Sequence, residues 1–225
     1  MKTKTKGIAS IIFGIVSFLF ISLPWLLILF SILSIIFGFK ANKEKQKKLG
    51  ITGMTLGIIS LLLIILYFLS FLIIGNSPLV VFESCSMYHE TSFASWWEKN
   101  SEWYETQGIT KEIFAQFNYK NGIKKGDVLF ILPTEKIKVG DIIMFNFNSQ
   151  ISIVHRVVSI SPYSTKGDRN IKQLTDSNNA GRLDETDIDQ NNIAGKVVLR
   201  IPYLGWTKLL FSESLRPKAT RGFCK

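Results

Sequence analysis

Ile151-Ser152-Ile153-Val154-His155-Arg156-Val157-Val158 alternates along its length, which assigns it to a β-strand with Ile151, Ile153, His155 and Val157 on one face. Working outward, similar short β-rich runs occur at 79–82, 127–132, 141–147, 151–160, 171–175 and 193–201, separated by Gly-Asp, Asn and Pro. Residues 77–225 therefore read as one small, mainly β domain. One stretch departs from this texture: residues 91–117 carry Phe93, Trp96, Trp97, Trp103 and Tyr104 at near-helical spacing, so an aromatic helical insert is expected there. Packing on the β domain, a place at a membrane interface, and a lid over a groove are all open readings of that insert.

The rest of the 225-residue chain is of another kind. With 47% apolar residues it is too greasy for one soluble domain, and the excess lies before Gly75. Apolar runs at 7–22, 25–39 and 49–75 predict three membrane helices within a region spanning 1–76, the first two forming a hairpin with Pro24 at its turn. The formal charge of +10 looks like a nucleic-acid signal until it is located. Residues 1–48 hold eight lysines against Glu44, so only +3 remains downstream, and no nucleic-acid partner is expected.

Lysines flank the first run and fill the 40–48 loop, which assigns both to the cytoplasmic side and the β domain to the far side of a cell membrane. A cleaved leader is disfavoured, because no small-x-small site precedes the second run. The elements Ile12-Phe13-Gly14-Ile15, Ile35-Ile36-Phe37-Gly38 and Thr55-Leu56-Gly57-Ile58-Ile59 place glycines where helices can approach closely. No Cys/His spacing suits zinc and no Gly-rich phosphate loop is present, so neither a metal nor a nucleotide cofactor is implied. Whether the two cysteines, Cys85 and Cys224, pair is open at this stage.

Ser84-Cys85-Ser86-Met87 lies about ten residues beyond the last apolar run, with His155 far downstream. Around these residues, Leu79-Val80-Val81-Phe82-Glu83-Ser84-Cys85-Ser86-Met87, Lys125-Gly126-Asp127-Val128-Leu129-Phe130, Val139-Gly140-Asp141-Ile142-Ile143-Met144-Phe145, Val154-His155-Arg156-Val157-Val158 and Gly195-Lys196-Val197-Val198 follow one another in order. That order resembles signal peptidase I, specifically the archaeal and endoplasmic-reticulum branch whose base is His, over residues 78–206.

The resemblance implies a membrane-anchored serine endopeptidase that removes signal peptides from preproteins, with an affinity for the export machinery. Ser86 would be the nucleophile and His155 the general base, since a serine hydroxyl attacks only once a positioned base takes its proton. Ser84 and the Ser86 N–H would bind the oxyanion. For the acid orienting His155, the resemblance offers Thr165-Lys166-Gly167-Asp168-Arg169-Asn170 or Thr175-Asp176-Ser177-Asn178-Asn179. The first follows the 151–160 strand so closely that it reads as a hairpin turn. The second leads, nine residues on from Thr175, to Asp184, the expected triad acid, with Asn178, Asp176 and Asp168 as supporting candidates.

Three departures stand out. Cys85 replaces the family's glycine between the serines; Tyr88-His89-Glu90 stands where a proline is usual; and the element at Asn178 lacks its aspartate. A Cys85–Cys224 pair would lock the C-terminus beside the site. These departures leave two alternatives: a catalytically silent subunit with the same fold, and a processing peptidase specialised for surface or pilin-like proteins. Substrate would bind as an extended strand beside 79–82 or 141–147.

Overall fold

The computed structural model describes residues 3–19, 24–43, 46–74, 78–147, 151–175 and 183–224. It divides into two units, 1–77 with 206–212, and 78–205 with 213–225.

The first unit is a helical bundle of α1 (Thr3–Leu19), α2 (Pro24–Lys43) and α3 (Lys47–Ile74). Pro24 opens α2, where its missing N–H costs no helical hydrogen bond. Small residues fill the bundle interior. Ser10, Ser17, Ser31, Ser34 and Ser60 are fully buried, and Ser10 Oγ donates to the Ser34 carbonyl while Ser34 Oγ donates to those of Ser10 and Gly53, each at 2.7 Å. Large apolar side chains point outward instead, Ile15 being 54% and Leu66 60% exposed. Small polar groups inside and large apolar ones outside reverse the pattern of a soluble protein and match helices that pack in lipid. Among the described residues, Trp25–Lys43 and Lys47–Leu69 are long and apolar enough to cross a membrane, whereas the apolar helix Thr5–Ser17 is shorter.

The second unit is built on a six-stranded antiparallel sheet of β1 (Leu79–Val81), β2 (Val128–Leu132), β3 (Ile142–Phe147), β4 (Ile151–Ile160), β5 (Tyr163–Lys166) and β6 (Ile193–Ile201). Their spatial order is β1-β2-β6-β3-β4-β5, so β6 is inserted between β2 and β3. The expected strand at 171–175 is absent; Ile171 there is 88% exposed. The returning strand is β5, which begins directly after a two-residue turn at Ser161-Pro162 and pairs Tyr163 with Ile160. A turn that tight leaves room for a strand before Gly167, so 165–166 belong to the sheet and only 167–170 turn away from it.

Phe82, Met87, Ile123, Leu129, Ile142, Met144, Val154 and Val197 form one core layer. The aromatic insert folds as α4 (Phe93–Thr106) and α5 (Lys111–Ala115), opened by Ser92 and Thr110, whose hydroxyls accept backbone N–H groups of the first turn. Trp96, Trp97, Tyr104, Ile109 and Phe114 of this insert pack with Val158 of β4. Of the three open readings of the insert, packing on the β domain describes these contacts. Gly140, at φ +92°, turns the chain into β3 with its α-carbon against the Phe117 ring; a Cβ there would lie 2.2 Å from a ring carbon.

Candidate active site

Ser86 follows β1 by five residues, and its place is fixed from both sides. Phe82 exchanges backbone hydrogen bonds with Asp127 and Gly126, at 2.8 Å each. Met87 is fully buried in the core, so the serine before it is held at the surface of that core. The Ser86 carbonyl accepts the Arg169 N–H at 2.8 Å, and the Asp168 N–H points at Met87 Sδ, 3.4 Å away. Ser84 Oγ accepts the Ser86 N–H at 3.0 Å and lies 3.1 Å from Ser86 Oγ. Cys85 between them is disulfide-bonded to Cys224.

His155 sits in β4 opposite Ile143 of β3 and is 4% exposed. Its Nδ1 meets the carboxylate of Glu185, one residue beyond the expected Asp184. Glu185 is fully buried and held by further donors: Thr165 Oγ1 to its Oε1 at 3.3 Å, and the Leu174 N–H to its Oε2 at 2.8 Å. Asp184 is directed elsewhere, accepting from the Thr186 N–H at 2.8 Å and the Thr186 hydroxyl at 2.6 Å. The reason is alternation: Leu183 and Glu185 face inward, so Asp184 between them faces away. A carboxylate on Nδ1 places the proton there and leaves Nε2 as the basic nitrogen.

Gly167 brings the two halves together. A Cβ on it would come within 3.0 Å of His155 Nε2 and 2.9 Å of the Ser86 carbonyl oxygen, so both approach the same bare α-carbon. The Lys166-Gly167-Asp168 segment, expected to be a hairpin turn, therefore lies against the Ser86 turn. Asp176 and Asn178 lie outside the described residues.

Behind this contact is a buried charge cluster around Asp168, which the sequence named as a supporting acid but without these partners. Arg156, fully buried, donates through Nε and Nη2 to Asp168 at 2.9 and 2.7 Å, and to the carbonyls of Asn118, Tyr119 and Gly140. His89 Nε2 lies 3.1 Å from Asp168 and its ring stacks on Trp96 at 3.8 Å. Tyr104 donates to Asp168 at 3.3 Å and receives Lys166 Nζ at 3.3 Å. Burial alone would raise the Asp168 carboxyl, but the Arg156 charge and the His89 and Arg156 hydrogen bonds outweigh it and hold Asp168 well below the carboxylate range. Burial pushes Lys166 down to about 8 against the opposing pull of Asp168 and Glu185. Burial, then the Asp168 charge, pushes the Tyr104 phenol well up. Asp168 thus braces the turn that carries Gly167, and His89 belongs to that brace.

A groove of about 530 Å³ opens over Ser84, Ser86 and His155. Val80, Phe82, Met144 and Val154 are among its apolar lining, and Asn170, Leu174, Leu183 and Arg216 complete it. The groove thus brings apolar walls, Ser86 and the carboxylate-paired His155 to one place.

No family model matches the chain, and no solved structure matches it significantly. Among curated proteins it is similar to the signal peptidase complex catalytic subunit of Sclerotinia sclerotiorum, with 35% identity over 100 residues, 40% of this chain and 56% of that protein. The subunits of the same name from Fusarium vanettenii and Pyricularia oryzae match over the same shares at 30% and 31% identity. The chain spans about half the length of the curated relatives it matches. It is a homologue of these signal peptidase catalytic subunits over that stretch.

Proposed function

We propose that this protein is a membrane-anchored serine endopeptidase that cleaves signal peptides from preproteins, with Ser86 as nucleophile, His155 as general base and Glu185 as the acid that orients it. The observation that carries this reading is the meeting of His155 Nε2 and the Ser86 turn at Gly167, with Glu185 on the opposite ring nitrogen. Neutral His155 takes the Ser86 proton as the hydroxyl attacks the scissile carbonyl, then returns it to the departing amine. Glu185 holds the productive tautomer and stabilises the imidazolium. The Ser86 N–H is the backbone oxyanion donor, and it becomes available when the Ser84 hydroxyl turns from Ser86 toward the oxyanion.

The substrate strand adds to β1. Both edges of β3 are occupied, by β4 and β6, whereas β1 ends the sheet and borders the groove. The helical bundle anchors the enzyme, its lysine-flanked ends cytoplasmic and the β domain across the membrane, where a preprotein's own apolar segment is already confined.

The test is cleavage by the detergent-solubilised protein of a preprotein bearing a small-x-small site, with the cut mapped by mass spectrometry. We expect cleavage at that site by the wild type and none by Ser86→Ala or His155→Ala. A folded wild type that cuts no preprotein would favour the second reading, a silent subunit, for which the Ser84–Ser86 hydrogen bond that occupies the oxyanion donor is the motivating observation. Cleavage confined to particular surface proteins would mark a specialised processing peptidase.

A further inference from the structure

Residues 213–224 lie beyond the stretch that carries the signal peptidase resemblance, and they fold as a strap across the Ser86 side of the β domain. The strap contains only two 3-10 turns, Glu213–Leu215 and Lys218–Thr220. Its large apolar side chains are mostly exposed, Leu215 at 86% and Phe223 at 64%, and polar and covalent anchors hold it. Lys125, itself 2% exposed, donates to Glu213 at 2.9 Å and to the Thr220 carbonyl at 2.7 Å. Arg216 pairs with Glu83, next to Ser84, and lies 3.0 Å from Glu213. Cys224 is bonded to Cys85, between the two serines. Arg216 thereby lines the groove beside Glu83, Ser84 and Ser86.

We propose that this strap is a wall of the peptide groove, with Arg216 as its substrate-positioning residue and the Cys85–Cys224 bond as the tether that keeps it in place. A strap whose large apolar side chains are mostly exposed relies on its polar anchors and its disulfide, and the disulfide is its covalent tie to the serine turn. Reduction by a dithiol would transfer two electrons to the disulfide, giving two protein thiols and an oxidised reductant, and would leave the strap held by its polar anchors alone. The groove would then exist in full only in an oxidising compartment, which is where the proposed orientation puts the β domain.

This inference rests on the peptide-binding groove of the proposed function but not on catalysis, so its test is binding. The full-length Ser86→Ala protein in detergent is titrated, by fluorescence anisotropy, with a labelled synthetic peptide bearing a small-x-small site. Adding Cys224→Ser, adding Arg216→Gln, or treating with dithiothreitol should each weaken binding by roughly tenfold, as expected when one wall of a preorganised site is released. Circular dichroism confirms that each form stays folded. Unchanged affinity in the folded Cys224→Ser and reduced forms overturns the tether, even if their melting temperature drops. Unchanged affinity in Arg216→Gln overturns the positioning role. Absence of binding to every form overturns the wall itself, whereas a wild type that fails to cleave while Ser86→Ala binds peptide refutes only the catalytic reading.

Discussion

Glu185 and Asp184 are adjacent acids with opposite surroundings, one buried against His155 and one capping Thr186. Glu185→Gln should lower kcat by on the order of 10³- to 10⁴-fold, because an amide opposite Nδ1 no longer fixes the tautomer. Asp184→Asn should leave kcat within about threefold, as a change outside the reacting geometry does; steady-state cleavage of a signal-peptide substrate separates the two. Resemblance alone led to Asp184, since counting along a motif cannot tell neighbours apart. The alternation Leu183-Asp184-Glu185 held the missing signal, because the inward apolar residue shares its face with Glu185. Lys166 makes the second prediction at this scale. Its folded-state pKa, about 8, lies below its unfolded value, so the charged form is penalised below pH 8. Between pH 8 and about 10.4 the unfolded chain binds the extra proton, and stability should rise by up to about 3 kcal/mol. Urea unfolding at pH 7.5 and 10 should show that rise, and Lys166→Met should remove it.

Among the elements, the α4–α5 insert was legible as a helix from its aromatic spacing, but not as a support for the site. Its inner face is joined to the Ser86 side through His89, which stacks on Trp96 and contacts Asp168. Trp96→Ala should cost about 3–5 kcal/mol in urea unfolding, the price of emptying a buried aromatic site. It should also lower peptide cleavage, because His89 loses the ring that holds it against Asp168. β5 was illegible for a different reason. Tyr163-Ser164-Thr165-Lys166 is short and polar, and what makes it a strand is pairing with β4 and the burial of Lys166 among Tyr104, Trp103 and Asp168. Arg156 of β4 carries no sequence mark of burial either; the Phe114 and Phe117 rings and its bonds to Asp168 enclose it. The long strands β4 and β6, by contrast, carry enough β-branched residues to declare themselves.

At the scale of the whole molecule, lysines and apolar runs made the helices evident, and the proposed orientation is open to direct measurement. In sealed cells a membrane-impermeant maleimide should label Gln107→Cys from outside, while Gln46→Cys reacts only after permeabilisation; the reverse pattern would place the β domain in the cytoplasm. Among the described residues β2 and β3 pair through β6, which follows both in the chain, and the proposed nucleophile, base and acid come from segments near 86, 155 and 185. During vectorial synthesis Ser86 is made some seventy residues before His155, and the two halves of the sheet wait longer still for the strand between them. The proposed catalytic set is therefore incomplete until residue 185 has been made, and the sheet that holds it is incomplete until β6 follows.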